Sequence, residues 1–149
     1  MTPLRRLWTT FVAQPVTGWP RVSWRGGGAP DDADEMLVFA LSMYLRAYRA
    51  RLGVDPPPIT RPIVVTFHQG KSVNRRGDKA TMVEGRMSLS TSWPQDTIVR
   101  LFGHELLHYH RDMLTGDPDR GHNADGFDDV PHMMTDPDHR GWKTPGLRP

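Results

Sequence analysis

The residues best equipped to do chemistry together are His104, Glu105 and His108, in the run His104-Glu105-Leu106-Leu107-His108. On a helix, a spacing of four sets both imidazoles on one face, one turn apart, so that both can reach a single zinc ion. Glu105 follows the first histidine. It cannot easily ligate the same ion, but it can hold a zinc-bound water, whose pKa the metal lowers, and take its proton. The chain has seven His and three Glu. A chance His-Glu-x-x-His is expected in on the order of half a percent of such chains, so the motif is specific.

Catalytic zinc usually has three protein ligands and one open position. The chain has no cysteine, so a third ligand must be a histidine or a carboxylate. His110 points to the side of the helix opposite the His104/His108 edge and is expected at the surface. The long metzincin pattern requires Gly and His where Arg111 and Leu114 stand. His122 is the leading candidate. It follows the turn Gly116-Asp117-Pro118, which can return the chain to the helix. Asp125 is its main rival, followed by Asp128, His132 and His139.

These residues need a helix and something for the helix to pack on. Pro94 and Gln95 open a helix that runs to about Leu114, with Ser92 or Thr91 as cap. Its wheel gathers Ile98, Leu101, Phe102, Leu106 and Tyr109 on one apolar face, with Glu105 inside that face and His104 and His108 along its edge. Residues 31–52 form an earlier helix capped by Asp31 or Asp32, with Met36, Phe39, Ala40, Met43, Tyr44 and Ala47 at helical spacing. Ile63 to His68 is a β-branched strand, and Ala80–Val83 and Arg86–Ser90 are further extended pieces. Residues 1–30 read as an irregular N-terminal arm, broken by Pro15, Gly18, Pro20 and Gly26-Gly27-Gly28. Residues 31–149 then form the functional domain, with a loop-rich tail. A short helix is expected near Asp128 to Met134, and Pro131-His132-Met133-Met134 could turn beneath the zinc site. Trp93 is expected in the core.

Taken together, the motif, the later Gly121-His122 segment followed by Phe127, and the preceding Arg86-Met87-Ser88-Leu89-Ser90 run resemble the SprT-like, or Spartan-like, zinc metallopeptidases. The likeness covers roughly residues 35–130 and lacks the Cys zinc ribbon of many relatives. It implies an α+β, zincin-like minimal metallopeptidase fold: an N-terminal helix, a small mainly antiparallel sheet, the active-site helix and a loop-rich tail. It also implies one Zn2+ per chain held by His104, His108 and His122, with Glu105 catalytic. Met87, Ser88 and Leu89 would lie along the substrate cleft, where an extended substrate could pair. The implied reaction is endoproteolysis of protein substrates, in some relatives of proteins attached to DNA.

Lys71, Arg75, Arg76 and Lys79 make a basic loop that could contact a phosphate backbone. The net charge is only +2 and the pI about 9.3, so composition adds little to that idea. No apolar run approaches the ~20 residues of a membrane span, and no signal peptide is read in Met1 to Phe11. The expectation is a monomeric, cytoplasmic zinc peptidase. Two other readings compete with it. One is an ImmA/IrrE-like repressor-cleaving metallopeptidase, with Asp125 or Asp128 as third ligand. The other is a non-catalytic module in which zinc staples the tail and the basic loop binds nucleic acid.

Overall fold

The β-branched run at Ile63 folds into a strand and takes an inner place in the sheet. In the computed structural model, which describes residues 22–59, 61–119 and 129–143, the elements follow in a simple order. They are β1 (Val22–Arg25), α1 (Ala33–Leu52), β2 (Ile63–His68), β3 (Ala80–Val83), β4 (Arg86–Ser90), α2 (Gln95–Thr115), α3 (Asp129–Met133) and a closing 3-10 turn, Arg140–Lys143. The architecture is α+β, with one four-stranded sheet in the order β1-β2-β4-β3.

The sheet is mixed, not mainly antiparallel as expected. β1 pairs with β2 and β2 with β4 in parallel; only β3 and β4 run antiparallel. The reason is connectivity. Helix α1 is the crossover between β1 and β2, and a crossover of that length delivers a parallel neighbour. After β2 the chain returns along the outer edge as β3, and a two-residue hairpin places β4 between them. That hairpin is Glu84-Gly85, with φ of 51° and 82°. Both residues lie in the left-handed region that a tight turn of this kind demands. β1 also corrects the expected irregular arm, since residues 22–25 are a strand; residues 1–21 lie outside the described residues.

Helix α1 buries Met36, Phe39, Ala40, Tyr44 and Ala47, as their spacing predicts, while Met43 is only half-buried. Asp32 stands at the N-cap, and Gly53 ends the helix at φ 80°. Ile63, Val65, Phe67, Met87 and Leu89 carry the sheet's inner face against the helices, each at most 2% exposed.

Helix α2 starts one residue after Pro94, and neither Ser92 nor Thr91 caps it. Their hydroxyls serve the loop instead: Gly70 N–H donates to Ser92 Oγ, and Thr91 Oγ1 donates to the His68 carbonyl. The side chain of Asp96 accepts from the Thr97 amide in their place. The buried face of α2 is Ile98, Val99, Phe102, Gly103, Leu106, Leu107 and His110. Leu101 and Tyr109 are only half-buried, so the face is rotated from the expected one.

The short helix at the end forms as α3. Asp129 receives Arg51 Nε at 3.0 Å and lies 3.6 Å from Arg140 and 3.7 Å from His139, tying the tail to α1. Trp142 donates its indole N–H to the Met133 carbonyl. Among the described residues, no helix is long and apolar enough to cross a membrane.

Candidate metal centre and cleft

Rotation of α2 sets the site. With Val99, Phe102, Gly103, Leu106 and His110 turned inward, Leu101, His104, Glu105 and His108 fall on one stripe at helical spacing, i, i+3, i+4 and i+7. That stripe lines an open cleft of about 580 Å³ whose opposite wall is Gly77 to Val83, with Pro118 and Asp119 at one end. Met134 fixes the helix from below. A Cβ at Gly103, the residue before His104, would lie only 2.1 Å from the buried Met134 Sδ. The expected turn of Pro131–Met134 beneath the site is therefore present, and glycine is what lets it approach.

His104 and His108 converge: their Nε2 atoms are 3.0 Å apart, with ring centroids 4.6 Å apart. A tetrahedral zinc ion with Zn–N of about 2.0–2.1 Å would hold two such atoms roughly 3.3 Å apart, so the pair fits one ion with little movement. The tautomer also fits. His108 Nδ1 lies 2.7 Å from the Pro118 carbonyl, which can only accept, so Nδ1 carries the proton. Its Nε2 then offers a lone pair toward His104. The Asp119 carboxylate lies 3.4 Å from the same Nδ1. Such outer partners commonly orient metal-ligating histidines.

Glu105 is half-buried beside the pair. Loss of solvent raises its pKa to about 7, and the negative charges of Asp78 and Asp119 push the same way. A carboxyl poised near neutral suits a general base. Asp78 is held by an Asx-type turn: Asn74 Oδ1 accepts from the Arg76 and Asp78 amides while Asn74 Nδ2 donates to Asp78.

His122, Asp125 and Asp128 lie outside the described residues. Among the described residues, no third His or acidic side chain joins the pair in a metal-binding group. His139 is engaged elsewhere: its Nδ1 accepts from the Gly141 amide, and its Nε2 faces Asp129. His132 is exposed and lines a separate cavity that also touches His104.

His110 corrects the expectation of a surface residue. It is fully buried. Its Nε2 donates to the Pro57 carbonyl at 2.8 Å, and its Nδ1 accepts from the Tyr44 hydroxyl at 2.7 Å. Tyr44 also stacks on it, with centroids 5.6 Å apart and planes 9° apart. Burial lowers its pKa from 6.5 to about 4.

Met87, Ser88 and Leu89 are not positioned to pair with a substrate strand. β4 is hydrogen-bonded on both edges, and Met87 and Leu89 are fully buried. Among the described residues the sheet's edge strands are β1 and β3, and of these it is β3 whose residues Ala80 to Val83 line the cleft. No signal in the sequence separates β3 from β4, since which is outermost depends on the parallel pairing of β4 with β2.

Of the basic loop, Lys71, Arg75 and Arg76 are exposed, and Arg76 lies 3.6 Å from Asp78. Lys79 turns to the cleft, with Nζ 4.4 Å from the centre of the Trp93 ring. Trp93 is half-buried, not core; its indole N–H donates to Ser90 Oγ and the Lys71 carbonyl.

Comparison of the chain with models of known families, with curated proteins and with solved structures finds no match.

Proposed function

We propose that the protein is a zinc-dependent endopeptidase of SprT-like character, acting on extended segments of protein substrates. The observation that carries this reading is the convergence of His104 and His108 Nε2, 3.0 Å apart, beside a half-buried carboxyl in an open cleft. A histidine pair on a core-packed helix with a solvated glutamate would suit a plain surface. Here the glutamate is drawn out of solvent and kept near neutral in pKa. His104 and His108 would hold the ion, with His122 as the third ligand.

Zinc, when bound, would polarise the water and the scissile carbonyl. The chain's own residues supply the rest. Glu105 accepts the proton of the attacking water and then delivers it to the leaving amine. The substrate would lie along β3, adding a strand to the open edge. The Lys79 carbonyl is taken by the Ser90 amide. Alternation along an antiparallel pair then directs the Ala80 and Met82 amides outward, away from β4.

Glu105→Gln tests the proposal. It keeps shape and leaves both histidines, so zinc binding should persist while cleavage of an unstructured protein falls by about 10²–10⁴-fold. A variant that cleaves as fast as the parent would remove Glu105 from the chemistry. The assay is run with and without DNA, and a requirement for DNA would give the exposed Lys71, Arg75 and Arg76 a role as a nucleic-acid contact.

A further inference from the structure

Two cavities meet at His104. The larger is the cleft described above. The smaller, of about 290 Å³, is lined by Lys79, Thr97, Arg100, Leu101, His104, Pro131 and His132. Lys79, Leu101 and His104 belong to both. The carboxylates line only one of them. Asp78, Glu105 and Asp119 line the larger cavity. Among the described residues, no carboxylate lines the smaller one, which has Lys79 and Arg100 on its walls.

Both cations are held in place. Arg100 Nη1 donates to Thr135 Oγ1 at 3.2 Å and to Asp96 Oδ2 at 3.4 Å, and Nη2 donates to Thr97 Oγ1 at 3.3 Å. A guanidinium has five N–H donors, and these bonds use three. The long contact to Asp96 offsets only part of its charge. Lys79 rests on Trp93, which Ser90 and Lys71 anchor. The cost of ordering these side chains is thus met by the fold before any ligand arrives.

We propose that the smaller cavity is an anion subsite that takes a carboxylate of the peptide being cut. Two sources carry this chemistry: the α-carboxylate at a chain end and the side chain of an Asp or Glu near the scissile bond. The inference rests on the peptidase reading and adds substrate selection to it. Since His104 borders both cavities, a peptide whose backbone crosses the histidine pair can place an acidic group against Arg100 and Lys79. Asp78 and Asp119, which line the larger cavity alone, would repel such a group there and so favour its placement in the smaller one.

The test measures retention, not cleavage. Zinc-loaded Glu105→Gln protein is immobilised and offered three pools of acetylated decapeptides with neutral random sequence. One has a free C-terminus, one is amidated, and one is amidated with a single internal Glu. Retained peptides are counted by mass spectrometry. At least one acidic pool should be retained roughly tenfold over the neutral amidated pool, as one charge-assisted pair provides. Whichever acidic pool wins identifies the source of the carboxylate. Adding Lys79→Gln or Arg100→Gln should bring the ratio close to one, whereas Arg46→Gln, which removes the same charge on α1, should leave it unchanged. If Arg100→Gln disturbs folding, the exposed Lys79 decides. Equal retention of all pools, retention of none, or an equal drop with Arg46→Gln overturns the proposal. A parent protein that cleaves nothing while its Glu105→Gln form still selects acidic pools through Lys79 would sink the peptidase reading and leave the subsite standing.

Discussion

His110 makes a quantitative prediction about stability. The ring is fully buried behind the cleft helix, and burial lowers its pKa from 6.5 to about 4, with backbone hydrogen bonds at Pro57 and Leu106 pulling weakly the other way. Between those two values the unfolded chain binds a proton that the folded chain refuses. Stability therefore rises with pH across that window. The contribution is fully present above the unfolded value and is lost as pH falls toward about 4. The gap, at about 1.4 kcal/mol per pH unit, amounts to about 3 kcal/mol. That is a large share of the 5–15 kcal/mol that holds a typical domain. The perturbation is His110→Gln, whose amide can still donate to Pro57 but does not titrate. Urea unfolding of parent and variant is followed from pH 7.5 to 4 with chelator present, and the difference between them is plotted, so that groups common to both cancel. At pH 7.5 the parent should be the more stable by roughly 1–3 kcal/mol, because the variant loses the Tyr44 stack and hydrogen bond. That advantage should shrink by about 3 kcal/mol as pH falls to 4. A difference that stays flat with pH would refute the neutral, buried ring and the tautomer assigned to it.

Three further outcomes follow from the geometry. Purified protein should carry one equivalent of zinc by metal analysis, and His104→Ala or His108→Ala should abolish it; full occupancy in the double variant would rule out the site. Ala80→Pro removes an outward amide of β3 without touching the ladder to β4 and gives up little side-chain packing, so KM for an extended substrate should rise about fivefold with little change in thermal stability; an unchanged KM would move the substrate off this edge. Asp129→Ala leaves Arg51 without its partner, and unfolding should cost about 3 kcal/mol less at pH 7. The Asp129 pKa is lowered because the Arg51 hydrogen bond and the nearby cations outweigh burial, so this contribution should vanish only under strong acid, as pH falls below the usual carboxylate value and through the folded one.

What the sequence discloses depends on how local the cause is. The histidine pair was legible because i and i+4 fix it on a helix. Helices α1 and α2 were legible because their apolar spacing, and Gly53 and Gly116 beyond their ends, act over a few residues. The parallel sheet was not, since pairing of β2 with β4 is decided by chain connectivity and leaves no local periodicity. β1 escaped notice because it is four residues long, with three of them exposed. The buried face of α2 was misplaced for a similar reason. Gly103 and His110 do not count as apolar, yet both are buried by partners distant in sequence: Met134 at Gly103, and Tyr44 and Pro57 at His110.

That same misplacement shows how the candidate site is held. Helix α2 carries histidines with opposite tasks. His110 is pinned at both ring nitrogens, to α1 through Tyr44 and to the following loop through Pro57. His104 and His108 line the cleft on another side of the helix. At ~100° per residue, His110 lies about 160° from His108, so its two hydrogen bonds act as a brace on the far side. Rotation of α2 by even a fraction of a turn would break both bonds of a fully buried ring, at about 1–3 kcal/mol for each group left unpaired. Met134 against Gly103 blocks the same motion sterically. The helix is thus locked in azimuth by a polar brace and a packed sulfur, and that lock is what keeps Leu101, His104, Glu105 and His108 aligned with the β3 edge. A core made only of interchangeable leucines would bury the helix as well, but it would permit small rotations that would pull apart two imidazole nitrogens held 3.0 Å from one another.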